Sequence, residues 1–372
     1  MITESSVIAA PAYIRAIAPY QAGKPIDELA REYGLDPASI IKLASNENPR
    51  GMPASARRAV AHALTSAGRY PDSNGFALKS ALSAKFDIPI NWITLGNGSN
   101  DILEMAAAAL LTPDRSCLYA QHSFAVYALA TQARGARAIV APAKNLGHDL
   151  DAMSASIAAD TALIYVANPN NPTGTHVPAQ LIEGFLKRVS PRVVVVIDEA
   201  YNEYLPPARR FDSTGWVGKY PNLLIARTFS KAYGLAGLRV GYGVAQPELT
   251  DLINRVRQPF NVNAVAQAAA VAALGDAVFL ENSYQLNRAG IEQLSEAFRA
   301  LQLHFVPSYG NFVLVKVGDA ARVYDGLLRR GIIVRPVANY DLPEWLRVTV
   351  GSFEENVRFL EALPKALAGS RL

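Results

Sequence analysis

Hydrophobic residues along this chain fall into short continuous runs of strand length, each closed by a cluster of polar or turn-forming residues. Cys117 to Ala120, Ala138 to Ala141, Ala162 to Ala167, Val193 to Asp198 and Leu223 to Ala226 are such runs, and Phe124 to Ala133 and Ala179 to Val189 read as helices between them. Strands that alternate with helices, several of them unbroken Val, Ile and Leu, predict an α/β fold whose parallel sheet is covered on both faces. Arg239 to Ala245 reads as a further strand, Pro247 to Arg257 as a helix, and an Ala-rich helix follows to Leu274.

The pattern then changes. A helix from about Gly275 to Leu301 bridges to strands Phe312 to Val317 and Leu346 to Val350, with helices Ala320 to Arg330 and Phe353 to Leu367. Ahead of the first run, Ile26 to Tyr33 and Ala54 to Ala67 read as helices and Ile40 to Ala44 as a strand. The expected division is an arm over 1–50 that belongs in part to a small domain, a large ligand-binding domain over 51–275, and the small domain proper over 276–372. At 372 residues the chain is long enough for two cores.

Ligands of parallel sheets bind beyond the carboxyl ends of the strands, and the polar motifs fall there. Ser45-Asn46-Glu47-Asn48-Pro49 follows the first strand, although a plain turn before Pro49 accounts for it equally well. Gly96-Asn97-Gly98-Ser99-Asn100 opens a helix whose free backbone N–H groups suit a phosphate. A Ser N-cap explains the same residues structurally, and the glycine pair also suits a dinucleotide. Asn168 to Gly174 is dense in turn residues, with X-Pro bonds that permit a cis turn. Asp198 ends an entirely apolar strand and needs a partner. A protonated pyridine nitrogen, a backbone N–H or an arginine would each serve.

The centre of this set is Thr228 to Arg239. Lys231 stands where a strand opens into a Gly-rich loop, with Thr228 and Ser230 before it and Arg239 after it. An amine beside hydroxyl donors and a guanidinium suits a ligand that carries an aldehyde and a phosphate, such as pyridoxal phosphate, with Lys231 forming the Schiff base and Arg239 gripping phosphate oxygens. A solvated lysine beside a capping serine is the bland alternative.

Composition removes several other classes. Lys and Arg outnumber Asp and Glu by 36 to 32, a net charge of +4 that gives no reason to invoke nucleic acid and is compatible with a small anionic substrate. Cys117 is the single cysteine, so neither an intrachain disulfide nor a cysteine zinc cage forms, and the five histidines are scattered without ligand spacing; no metal is expected. The apolar run Val7 to Ala18 lacks a basic lead and is broken by Pro11 and Arg15, so neither a signal peptide nor a membrane span is expected, and the cytoplasm is the expected setting.

With Asn46 to Pro49, Arg69-Tyr70-Pro71-Asp72, Gly96 to Ser99, Asn168 to Gly174, Asp198 to Tyr201, Thr228 to Arg239, Arg257 to Asn263 and Leu346 to Gly351 assembled, the chain resembles the fold-type I pyridoxal-phosphate aminotransferases. Within them it looks like the branch acting on histidinol phosphate, and the resemblance runs from about Tyr20 to Gly351. It implies a large domain with a mostly parallel seven-stranded sheet, a small α/β domain, and transamination of L-histidinol phosphate with 2-oxoglutarate in histidine biosynthesis. Aromatic amino-acid transamination and decarboxylation of a phosphorylated amino acid are the alternatives on the same fold. Inactive binding modules and nicotinamide proteins fit less well, since Lys231 and Asp198 would go unused.

The resemblance also implies roles. Lys231 would hold the cofactor and shuttle the proton, and Asp198 would keep the pyridine nitrogen protonated. Tyr201 and Asn171 would hydrogen-bond the ring's phenolic oxygen. Ser99, Asn100, Thr228, Ser230 and Arg239 would meet the phosphate, together with Tyr70 from a second subunit of a homodimer. Phe124 would stack on the ring, although His122-Ser123-Phe124 stands where Pro-x-Tyr is the pattern and a phenolic hydroxyl is lost. Arg347 would bind the anionic end of the substrate with Arg335 as helper, and Tyr20 and Asn46 would face the substrate pocket.

Overall fold

The fold is taken from a computed structural model that describes residues 8–369. Val7, the first residue of the N-terminal apolar run, and the outermost ends of the expected first and last domains lie outside the described residues. The main sheet has seven strands: β1 (Ile93–Gly96), β2 (Ser116–Ala120), β3 (Arg137–Ala141), β4 (Thr161–Ala167), β5 (Val194–Asp198), β6 (Leu223–Thr228) and β7 (Gly241–Val244). Their spatial order is β1-β7-β6-β5-β4-β2-β3. All neighbouring pairs are parallel except those made by β7, which runs antiparallel to both β1 and β6. The apolar run at 239–245 gives no sign of direction, because a buried strand carries the same residues either way.

Alternation along the strands divides the core in two. Ile164, Val166, Val195, Ile197, Leu223 and Ile225 pack on one face. Leu163, Tyr165, Val194, Val196, Leu224 and Ala226 pack on the other. Successive side chains point to opposite faces, so a sheet covered on both sides needs apolar residues at every position.

A second sheet has four antiparallel strands, β8 (Phe305–Val306), β9 (Phe312–Lys316), β10 (Arg335–Val337) and β11 (Leu342–Thr349), in the order β8-β9-β11-β10. Its core takes in Phe298 of the Ala277–Ala300 helix and Phe359 of the Phe353–Leu367 helix. Ile41 and Leu43 join this core, and the two-residue strand Ile41–Lys42 pairs in parallel with Ile332–Ile333.

Several expected boundaries move. The helix expected over 54–67 ends at Leu64 and is followed by turns, the strand expected over 40–44 shortens to Ile41–Lys42, and the helix expected from Phe124 begins at Val126. The Phe76–Phe86 helix and strand β10 went unread. The helix buries Leu78 and Leu82, but its first turn follows the turn cluster Asp72 to Gly75, and Pro336 breaks the strand pattern of β10. No single helix among the described residues is long and apolar enough to cross a membrane.

Candidate active site

The carboxyl ends of the strands open onto one cavity of about 540 Å³ between the two sheets. Ser99 and Asn100 after β1, Phe124 after β2, Asn171 after β4, and Asp198 and Tyr201 at and after β5 line it. Thr228, Ser230, Lys231 and Arg239 line it from β6 and the loop beyond. Tyr20 and Asn46 enter from the N-terminal segment, and Arg335 and Arg347 from the small sheet. Tyr70 is absent from the lining: its ring stacks on Phe260 at 4.6 Å and is 83% exposed.

Lys231 Nζ donates to the carbonyl oxygen of Ser45 at 3.0 Å and lies 5.9 Å from the centre of the Tyr201 ring. Burial, with Arg347 and then Arg239 as like charges, lowers its pKa to about 8. The turn that presents it requires Gly234: φ is +70°, and a Cβ there would stand 2.0 Å from the Gly51 carbonyl oxygen.

Asp198 is 5% exposed and takes part in no ion pair among the described residues. Tyr127 Oη donates to its Oδ2 at 2.9 Å and the Ala200 N–H to its Oδ1 at 3.3 Å. Burial raises its pKa to about 6, against the pull of these two donors. Arg227, on the neighbouring strand β6, is not its partner: it pairs with Glu199 at 2.8 Å. Tyr127 was missed in the sequence because it sits inside the apolar run Ala125 to Ala130 and reads as core.

Beyond β1, the Ser99–Leu110 helix starts from Gly98 and not from Ser99, so the alternative of a serine cap is not realised and the Ser99 hydroxyl stays available. Gly98 has φ +83°, and a Cβ on it would come within 2.6 Å of an Arg239 guanidinium nitrogen. Arg239 itself has a left-handed backbone, φ +59°, and its guanidinium meets only neutral oxygens: Ser230 Oγ at 3.4 Å, and the Ala236 and Asn97 carbonyls at 3.0 and 3.5 Å.

On the small-sheet side, Arg335 and Arg347 are directly opposite each other on neighbouring strands, and both are buried, 8% and 6% exposed. Arg347 donates to Asn171 Oδ1 at 2.6 Å and to the Ala44 carbonyl; Arg335 donates to the Gln21 carbonyl and lies over the Tyr20 ring. Neither forms an ion pair with a carboxylate among the described residues, and the Arg347 Nε proton has no acceptor. Asn46, at φ +54°, donates from Nδ2 to Tyr201 Oη at 2.8 Å, while its own N–H and Oδ1 are both held by Thr349 Oγ1 at 3.0 Å. The Asn168-Pro169 and Asn171-Pro172 bonds are both cis, and Asn170 ties this loop to the His122 carbonyl at 2.9 Å.

The model of the family described as aminotransferase class I and II matches residues 38–363. Among curated relatives, histidinol-phosphate aminotransferase 1 of Cupriavidus pinatubonensis is 66% identical over 361 residues, 96% of each chain. Histidinol-phosphate aminotransferase 2 of Ralstonia nicotianae is 65% identical over 96% of this chain and 97% of its own. Among solved structures, histidinol-phosphate aminotransferase from Sinorhizobium meliloti in complex with pyridoxal-5'-phosphate superposes with a TM-score of 0.91 at 25% identity, covering 99% of this chain and 100% of that one.

Proposed function

The chain belongs to the class I and II aminotransferases, and within that family we propose that it transfers an amino group from L-histidinol phosphate to 2-oxoglutarate. The products are imidazole acetol phosphate and L-glutamate, the cofactor is pyridoxal 5'-phosphate, and the step serves histidine biosynthesis.

The residues present fit that cofactor at two ends. The space kept open by Gly98 lies between a helix N-terminus and Arg239, an arginine without an anionic partner among the described residues, and Thr228 and Ser230 share the wall. That donor set suits a phosphate. Asp198 is a buried carboxylate without a cation, which a protonated pyridine nitrogen provides. When bound, pyridoxal phosphate supplies an electron sink for the substrate carbon that loses its proton.

The chain's own groups divide the remaining work. Lys231 Nζ attaches the cofactor and, as a free amine, carries the proton away from the substrate carbon. Its pKa of about 8 leaves an appreciable neutral fraction near pH 7. Asp198 holds the ring nitrogen protonated. Tyr201, braced by Asn46, and Asn171, braced by Arg347, hydrogen-bond the ring's phenolic oxygen. Phe124 covers the ring face, and Tyr20 walls the substrate side.

The observation that carries the choice of donor is the buried pair Arg335 and Arg347. Two adjacent guanidiniums without a carboxylate partner are neutralised by a phosphate dianion, whereas the single carboxylate of an aromatic amino acid leaves one charge uncompensated. The 2-oxo acid uses the same pair in the second half of the cycle. A homodimer, in which Tyr70 of one subunit reaches the phosphate of the other, is part of the same proposal. The exposed Tyr70–Phe260 stack supports it. So is a cytoplasmic setting, which suits the single buried thiol of Cys117.

The test is steady-state formation of L-glutamate from 2-oxoglutarate, with L-histidinol phosphate and with L-phenylalanine as donors. A kcat/KM at least tenfold higher for the phosphorylated donor supports the assignment; equal or reversed values overturn it.

A further inference from the structure

We propose that Tyr127 is a positioning residue for this reaction: its phenol holds the Asp198 carboxylate in one rotamer and in its charged form. The inference rests on the transaminase reading above but is carried by separate observations. Tyr127 is fully buried, and its Oη donates to Asp198 Oδ2 at 2.9 Å. It has no freedom to turn away. Its ring is stacked at 4.5 Å and 5° on Tyr165, whose own hydroxyl is bound to the Leu103 carbonyl, and it meets Phe124 edge-on at 5.9 Å.

The physical consequence follows from the burial of the acid. Asp198 sits at the end of an apolar strand where desolvation favours its neutral form, and a neutral carboxyl cannot hold a ring nitrogen in its protonated state. Burial raises the phenol's own pKa, so Tyr127 keeps its proton and donates it to Asp198, and that hydrogen bond favours the anion. The other groups facing Asp198 are Tyr165 from the neighbouring strand, Tyr201 beyond the same strand, Lys231 from the next loop, Glu199 beside it and the Ala200 N–H. Lys231 also favours the anion, but attachment of the cofactor alters its charge. Tyr127 is then the side-chain donor whose support is constant through the cycle. Phe124, placed on the ring face, touches the same phenol, so one helix start supports both the face and the nitrogen of the ring.

The experiment is read first on the cofactor-free chain, labelled with ¹³C at aspartate carboxyl carbons and titrated from about pH 4 to about pH 9, spanning the perturbed carboxyl range. The Asp198 signal is identified by its loss in Asp198→Asn. Tyr127→Phe is expected to move the Asp198 midpoint up by about one unit, while Tyr165→Phe, which alters the stack but not the bond to Asp198, leaves it in place. In the loaded enzyme, Tyr127→Phe is expected to lower kcat about tenfold with KM for the phosphorylated donor unchanged, as loss of an interaction that acts on the chemical step. An unmoved midpoint in a folded Tyr127→Phe chain overturns the proposal. Should that variant not fold, 3-fluorotyrosine at position 127 keeps the ring and makes it a stronger donor, and the midpoint is expected to fall; no change or a rise overturns the proposal. The titration is independent of which amine is the substrate, so its failure is distinct from failure of the histidinol-phosphate assignment.

Discussion

Arg347 and Asn171 are joined by a 2.6 Å hydrogen bond between the small sheet and the cis-proline loop of the large one. The bond links the residue proposed to meet the anionic end of the substrate to one proposed to lie beside the cofactor ring. Changing either therefore disturbs both. Arg347→Lys keeps a charge but loses the planar fork and cannot reach Asn171, the Ala44 carbonyl and a phosphate together. KM for L-histidinol phosphate is expected to rise about 100-fold, roughly 2–3 kcal/mol, with a smaller loss in kcat. Steady-state kinetics of the variant checks this.

Lys231→Ala is expected to abolish turnover while leaving the fold intact, since the lysine's one hydrogen bond is to the Ser45 carbonyl at the cavity wall. The phosphate and ring contacts remain, so cofactor still binds, but borohydride no longer fixes it to the chain. Mass spectrometry after reduction distinguishes the two states, and near wild-type turnover would remove the lysine from the mechanism.

Asn46→Ala is expected to destabilise the protein by about 2–4 kcal/mol, because it leaves Tyr201 Oη without its donor and the Thr349 hydroxyl proton without its acceptor, and puts alanine at positive φ. The measurement is the denaturation midpoint of the cofactor-free chain. A change within the error of the wild type would mean that Thr349 and Tyr201 find other partners.

The stability of the cofactor-free chain should carry two opposite pH signatures. Asp198 binds its proton more tightly folded than unfolded, with a pKa raised from 3.8 to about 6, so its contribution to stability is present below about pH 4 and is lost as pH rises towards 6. Lys231 binds its proton less tightly folded, with a pKa lowered from 10.5 to about 8, so the chain gains stability as pH rises from about 8 towards 10.5. Asp198→Asn should remove the first slope and Lys231→Met the second, read as denaturation midpoints against pH relative to wild type.

Most of the cavity was legible because ligand groups of parallel sheets follow strand ends, and strand ends can be read from apolar runs. Lys231, Asp198 and Arg239 stand out as polar residues after Leu223 to Ala226, Val193 to Ile197 and a glycine-rich turn. Tyr127 did not, since a buried phenol in an apolar helix has the same pattern as core. The opposition of Arg335 and Arg347 is a matter of strand register, which composition does not carry, and Pro336 hides the strand that creates it. The direction of β7 was illegible for the same reason: buried strands look alike in both senses.

Selection of a phosphorylated amine is the role proposed for the buried arginine pair. The most direct measurement mixes cofactor-loaded enzyme with L-histidinol phosphate, L-histidinol or L-phenylalanine, and follows the absorbance change of the bound cofactor in a single half-reaction. Conversion by the phosphate ester at least 100-fold more efficient than by the other two is predicted, about 3 kcal/mol at the arginine pair. Equal conversion of L-histidinol and its phosphate would contradict the claim that Arg335 and Arg347 read the phosphate.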